Sequence, residues 1–327
     1  MRALVQPSFG DPSEVLSVQE VPDPDPEPGP GQVLVRVLLS PIHNHDLWTV
    51  RGSYGFKPEM PARAGTEAVG VVEALGDGVD GLTVGQRVTT GGSFGAWAEL
   101  IVAPAAGLVP VPDGIDDEAA AQLVSMPFSA IALLDFLEVE AGDWIVQNAA
   151  NGAVGRLLAQ LAEARGVRVL GLVRRAAGVE ELRGQGIDHV VATDDDGWRE
   201  RVHDIVGEAP LVAGVDSVGG PAAGDVVSLL AEDGVLVVFG AMASPTLEIG
   251  SGDVIFKQTV IKGFWASKVF ASMPGETRAR LMGELVRGIG SGALTLPVEK
   301  VYSLDEIAEA ARANQAPGRV GKILLRP

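Results

Sequence analysis

Asp143-Trp144-Ile145-Val146-Gln147-Asn148-Ala149-Ala150-Asn151-Gly152-Ala153-Val154-Gly155 reads as a buried strand, a tight turn of small residues and the first turn of a helix. The apolar spacing carries that helix from Ala153 to about Arg165. A second apolar strand follows, Arg168-Val169-Leu170-Gly171-Leu172-Val173, and ends in Arg174-Arg175. Strand, small-residue turn, helix and strand make a βαβ unit of the kind that binds dinucleotides. Small residues let the backbone approach a pyrophosphate, and the N–H groups of the helix N-terminus stabilise its charge. The spacing is not the strict G-x-G-x-x-G, and similar turns occur in α/β proteins that bind no nucleotide. The arginine pair carries the reading further. Where an NAD site places an acid on the ribose hydroxyls, this chain places two guanidiniums, which suit a 2′-phosphate. The expected cofactor is NADPH rather than NADH.

The rest of the chain sets the frame for that unit. At 327 residues it is long enough for two domains, each with a core. Apolar residues make up 46% and charged residues 21%, the ordinary balance of a globular enzyme. No apolar run is long enough to cross a bilayer. Met1-Arg2-Ala3-Leu4-Val5 enters a strand without a signal-like hydrophobic region, so the expected location is cytoplasmic. There is no cysteine, which excludes disulfides, a thiol nucleophile and thiolate metal ligands. The net charge of −18 argues against nucleic acid and anionic membrane surfaces as partners.

Two rhythms divide the chain. Up to about residue 118 short β segments alternate with glycine and proline, as in 32–39, 69–74, 85–89 and 95–102, which suggests a small barrel-like β domain. The run from Val21 to Pro30, rich in proline and acid, reads as an exposed connector. From Ala119 helices alternate with apolar strands at 189–192, 211–216, 235–239 and 260–264, the pattern of a parallel sheet covered on both faces. Ligands of such sheets lie beyond the carboxyl ends of the strands. A helix near 276–289 then leads back to β character ending in 321–325. The expected domains are 1–118 with 268–327, and 119–267, in an α/β fold whose second part is a doubly wound Rossmann domain.

A second constellation lies in the β part: Pro41-Ile42-His43-Asn44-His45-Asp46-Leu47-Trp48, Gly52-Ser53-Tyr54-Gly55 and Gly65-Thr66-Glu67. It resembles the N-terminal, GroES-like catalytic domain of the medium-chain dehydrogenase/reductase superfamily. In that superfamily's zinc enzymes a Cys-His pair precedes the Asp, and a His precedes the Glu of a Gly-His-Glu. Here His43 and Asn44 stand in the first pair and Thr66 in the second. His43, His45 and Glu67 are of types that bind zinc, yet two or three expected ligands are gone, and no metal is expected.

Within the superfamily the chain is similar over nearly its whole length to the zinc-free trans-2-enoyl thioester reductases of the mitochondrial type. The motifs are Gly52-Ser53-Tyr54-Gly55, the turn from Gln147 to Gly155, Val173-Arg174, Phe239-Gly240-Ala241-Met242, Phe256-Lys257 and Lys262-Gly263-Phe264-Trp265. Related quinone reductases usually carry Ala and Gly at the positions of Asn148 and Asn151, and lack the Gly-Phe-Trp. The resemblance implies that Tyr54 is the proton donor. It implies cofactor contacts by Asn151, Gly152, Ala153, Val154, Arg174, Phe239, Gly240, Ala241, Met242, Phe264, Trp265 and Lys322, with Arg175 added from the charge argument. Met126 stands where the family has an asparagine near the cofactor.

Reduction of an enoyl thioester needs hydride at the β-carbon and a proton at the α-carbon. Tyr54, one of two tyrosines, sits on a glycine-flanked loop, and a phenol of pKa near ~10 is a competent donor to an enolate. Its bland reading is a loop aromatic packed on the β domain. Trp265, expected to take part in catalysis, and Phe264 would wall the nicotinamide or acyl pocket; their bland reading is core packing. Asp46 and Glu67 are expected to hold loops by hydrogen bonds. The favoured activity is NADPH-dependent reduction of an enoyl thioester, on coenzyme A rather than acyl carrier protein. An NADPH:quinone or enone reductase is the alternative, and a non-catalytic NADPH-binding protein the third reading. A homodimer through the edge of the Rossmann sheet completes the expectations.

Overall fold

The structure is a computed structural model that describes every residue except Pro317. The chain forms two compact units, residues 1–125 with 286–327, and residues 126–285. The second crossing falls inside the helix Gly275–Gly290, beyond the 267/268 boundary expected from the sequence. Leu281 and Leu285 of that helix are fully buried, and helix periodicity carries the chain across the boundary without a linker.

The β unit holds two sheets. Ser17–Glu20, Arg2–Gln6 and Ala62–Arg63 make a small antiparallel sheet. In the larger one the order is Val298–Ser303, Lys322–Arg326, Gln32–Pro41, Glu67–Leu75, Arg87–Gly91 and Leu108–Pro110, with Leu100–Pro104 also paired to Gln32–Pro41. The long strand Gln32–Pro41 is thus central, and its alternation of Val and Leu supplies inward residues to the cores on both faces. Lys322–Arg326 pairs against the end of this strand, Leu324 opposite Pro41. That pairing brings the C-terminal segment beside His43. Ile42, Leu47, Trp97 and Leu325 close the core under it, and the Trp97 indole donates to the Pro41 carbonyl at 3.1 Å.

The second unit is built on six parallel strands in the order Val190–Ala192, Arg168–Val173, Trp144–Gln147, Leu211–Asp216, Val235–Val238, Val260–Gly263. Numbered along the chain this is 3-2-1-4-5-6, the doubly wound arrangement, with the order reversing between Trp144–Gln147 and Leu211–Asp216. The helices Ala153–Ala164 and Pro221–Leu229 pack on this sheet through Leu158, Leu161, Val226 and Val227, all nearly or fully buried. One expectation differs in burial. The run near Val260 reads as a covered strand, yet all four residues of Val260–Gly263 are exposed, because it is the edge of the sheet, with no further strand paired beyond it among the described residues. Among the described residues no helix is long and apolar enough to cross a membrane.

Candidate functional site

In the α/β unit the turn after Trp144–Gln147 lies at the point where strand order reverses. Ala149 holds a left-handed φ of 49°, unusual for a residue with a Cβ, and its carbonyl accepts the Gly152 N–H at 2.8 Å. The helix Ala153–Ala164 starts immediately afterwards, so its first-turn N–H groups point out of the turn without helical acceptors. Arg156, nearly buried, donates to the Asn151 carbonyl at 3.0 Å and to Glu181 at 3.2 Å. It fastens the turn to the helix Ala176–Arg183, which follows the arginine pair. A Cβ built on Gly178 would lie 3.5 Å from the Asn151 amide nitrogen, so Asn151 is seated on that helix.

Arg174 and Arg175 are exposed at the carboxyl end of Arg168–Val173, and neither makes a salt bridge among the described residues. On the other side of the turn, Asn148 donates to Asp216 at 2.5 Å and accepts from the Ser217 N–H at 2.8 Å. Asp216, fully buried, also accepts the N–H groups of Val218 and Gly219. A buried carboxylate is tolerable only with such a set of donors. The network ties the loop 217–219 to the turn, and sequence reading placed Asn148 at a strand end without assigning it this work. Phe239 and Gly240 sit against Asp216 through backbone bonds, while Met242 is exposed. Phe264 is core, edge-on to Phe136 and 5.8 Å from Phe239, whereas its neighbour Trp265 is 60% exposed at the end of the edge strand. Trp265 is therefore no packing residue.

The β unit holds a buried polar chain. His43 Nε2 lies 2.6 Å from Glu67 Oε2, and the Lys322 ammonium lies 3.0 Å from His43 Nδ1. All three side chains are buried, His43 and Glu67 completely. Lys322, which the resemblance puts at the cofactor, makes a contact here with His43. Burial, reinforced by the Lys322 charge, holds the His43 imidazole well below its ordinary value, so the ring is neutral. A neutral ring that accepts at Nδ1 carries its proton on Nε2 and donates it to Glu67. Burial pushes the Glu67 carboxyl up to about 7, against the opposing pull of its bonds from the backbone N–H groups of Ser125 and Val124.

Asp46 accepts from the His43 N–H at 2.9 Å and from the Thr66 hydroxyl at 2.7 Å. With His45 Nε2 2.9 Å from the Thr66 hydroxyl oxygen, both histidines are set by the fold. Among the described residues no group of three or more His, Asp or Glu side chains is placed to hold a metal ion. Tyr54 lies on the loop after helix Asn44–Arg51, which ends at left-handed Gly52. Its ring centroid is 5.9 Å from that of His45. The spacing of Asp46, Thr66 and Glu67 gave a signal for this network; Lys322, distant in sequence, joins only through strand pairing.

Residues 29–113 match the alcohol dehydrogenase GroES-like domain, and residues 153–282 the zinc-binding dehydrogenase family. The human mitochondrial enoyl-[acyl-carrier-protein] reductase is 30% identical over 332 residues, 99% of this chain and 88% of the human one. Among solved structures, a mycobacterial quinone oxidoreductase superposes with a TM-score of 0.87 at 29% identity, covering all of both chains. A mycobacterial protein solved in complex with NADPH does so at 0.87 and 30%, again over both full lengths. A GroES-like domain joined to a Rossmann-type domain, with these relatives along its whole length, places the chain in the medium-chain dehydrogenase/reductase superfamily, in the family that includes the mitochondrial enoyl-[acyl-carrier-protein] reductases.

Proposed function

We propose that the chain is an NADPH-dependent oxidoreductase that reduces the activated C=C bond of a trans-2-enoyl thioester, with Tyr54 as proton donor. The α/β unit fits the cofactor in three respects. Its turn has a helix N-terminus for the pyrophosphate. Its next strand ends in two exposed guanidiniums, Arg174 and Arg175, for the 2′-phosphate. Its loops 239–242 and 264–265 gather at the carboxyl ends of the neighbouring strands, where nicotinamide-binding groups are needed. Asn151, Gly152, Ala153 and Val154 would hold the pyrophosphate side, Phe239 to Met242 with Phe264 and Trp265 the nicotinamide side. The resemblance adds Lys322 to this set.

When bound, NADPH supplies the hydride that goes to the β-carbon. The thioester enolate left behind takes a proton at its α-carbon from the Tyr54 hydroxyl, and solvent restores the phenol. Trp265 would cover the reacting face and exclude water. Coenzyme A is the proposed carrier, because a chain of charge −18 repels an acidic carrier protein at long range.

The observation that carries this reading is the Tyr54 loop: a half-buried phenol between two glycines, placed by helix Asn44–Arg51 and set against His45. The resemblance in fold and sequence to a quinone oxidoreductase supports a second reading, reduction of quinones or enones, which needs no proton-donating tyrosine. NADPH consumption with crotonyl-coenzyme A and with a simple quinone, each repeated with Tyr54→Phe, decides between them. Loss of about 10²-fold or more on the thioester alone supports the enoyl reductase. Turnover of the quinone only, indifferent to Tyr54, supports the second reading. NADPH binding without turnover of either would mark a non-catalytic protein. The exposed edge strand Val260–Gly263, with exposed Ile255 and Phe256 nearby in sequence, supports a homodimer through this edge.

A further inference from the structure

We infer that His45 is the positioning residue for Tyr54, an inference that rests on the reading of Tyr54 as proton donor. His45 lies in the first turn of helix Asn44–Arg51, and its imidazole is held from several sides. One ring contact is to His43, centroids 5.0 Å apart and planes within 16°, a stacked arrangement on a fully buried partner. A second is a polar chain: His45 Nε2 lies 2.9 Å from Thr66 Oγ1, and the Thr66 hydroxyl donates to buried Asp46 at 2.7 Å. Thr66 has one proton and spends it on Asp46, so its oxygen accepts from His45. That places a proton on Nε2 and fixes the ring's rotation about its bond to the backbone.

The other ring contact is Tyr54 itself, centroids 5.9 Å apart with planes tilted by 32°. The chain reaches Tyr54 from Gly52 through Ser53, and Ser53, Gly55, Phe56 and Lys57 are all exposed. The backbone of this loop is tied to the helix end by bonds from Gly52, Ser53 and Tyr54 to Thr49 and Trp48. These set where the loop starts, while the His45 ring packs against the phenol and limits how it stands. Asp46, Thr66, His45 and Tyr54 thus form a series in which each member orients the next. A proton donor displaced by a fraction of its bond length loses rate without losing affinity for the cofactor.

The test is steady-state reduction of crotonyl-coenzyme A by NADPH. His45→Ala should lower kcat about ten- to hundredfold while the KM for NADPH stays within about twofold. Thr66→Val, which removes the oxygen facing Nε2 at 2.9 Å and leaves only the longer 3.5 Å approach to Asp46, should lower kcat in the same direction by less, and answers the question if His45→Ala does not fold. The decisive arm is the double variant: in a Tyr54→Phe background, His45→Ala should cost nothing further, because the group it positions is gone. Losses that multiply in the double variant, or an unchanged kcat in both His45→Ala and Thr66→Val, overturn the inference. Failure of the enoyl reductase reading looks different: Tyr54→Phe alone would then leave turnover intact.

Discussion

His43 and Lys322 meet at 3.0 Å, Nδ1 to Nζ, although 279 residues separate them in the chain. The contact exists because Lys322–Arg326 pairs with the end of Gln32–Pro41, and it turns a neutral imidazole into the bridge between a buried ammonium and the Glu67 carboxyl. Removing one partner of a buried charge pair leaves the other uncompensated, at about 3–5 kcal/mol. At pH 8, above the value of about 7 at which Glu67 ionises, Lys322→Met is therefore expected to lower the melting temperature sharply. Lys322→Met with Glu67→Gln should recover much of the loss, since no net charge then remains buried. Thermal denaturation of the two single variants and the double one measures this directly, and additive losses would contradict the bridge.

The same chain predicts a pH dependence. Glu67 is held at about 7 in the fold, above its ordinary value of 4.5, because it is buried. Between those values the folded state keeps a proton that the unfolded state has released, so this group's contribution to stability is present in acid and lost as pH rises to about 7. A glutamine cannot lose it. The difference in stability, Glu67→Gln minus wild type, should become more favourable to the variant by up to about 3 kcal/mol from pH 4.5 to pH 8. His43 titrates in both proteins and drops out of the comparison to first order. Melting curves at four or five pH values suffice, and a difference that is flat with pH would rule out a raised Glu67.

Arg174 and Arg175 are exposed and without a salt bridge among the described residues, so their removal should cost the fold little. The expected effect is on cofactor choice. Replacing each by alanine removes charge-assisted bonds worth about 1.5–3 kcal/mol, or about ten- to hundredfold in affinity. NADPH binding should weaken by that amount, and NADH binding should stay within about twofold. Fluorescence titration with both cofactors reads the ratio; equal losses for the two would remove the 2′-phosphate from the role.

Much of this was legible in the sequence, for reasons that differ from element to element. Arg168–Val173 and Leu211–Asp216 coincide with their expected limits, because a strand buried on both faces leaves an unbroken apolar run that its neighbours do not share. The turn from Asn148 to Gly152 was legible for the same local reason. Val260–Gly263 has the same apolar look but lies at a sheet edge, and which strand is outermost is fixed by topology, not by composition. Burial of His43 was equally hidden. Its surroundings come from Glu67 and Lys322, which reach it through strand pairing across 24 and 279 residues. Asn148 carried a local signal, an asparagine at a strand end, but its partner Asp216 only becomes visible once the two strands are neighbours.

The turn offers the sharpest mutational contrast, between two glycines three residues apart. A Cβ on Gly155 would lie 2.7 Å from the Ala150 carbonyl oxygen and 2.8 Å from that of Ala149, both backbone atoms that cannot step aside alone. A Cβ on Gly152 meets only the Ala149 carbonyl, at 3.1 Å, and the backbone there has an ordinary φ of −71°. Gly155→Ala must therefore push the turn away from the helix, and with it the N–H groups offered to a pyrophosphate. Gly152→Ala asks for a shift of a few tenths of an ångström. NADPH affinity should fall at least about tenfold for Gly155→Ala, and several times less for Gly152→Ala. Because Arg156 fastens the turn through the Asn151 carbonyl, the displaced turn should also loosen the Arg156–Glu181 bridge. Gly155→Ala should then melt at a lower temperature than Gly152→Ala even without cofactor. Calorimetry with and without NADPH separates the two effects, and equal affinity in both variants would show that the turn does not set the binding geometry.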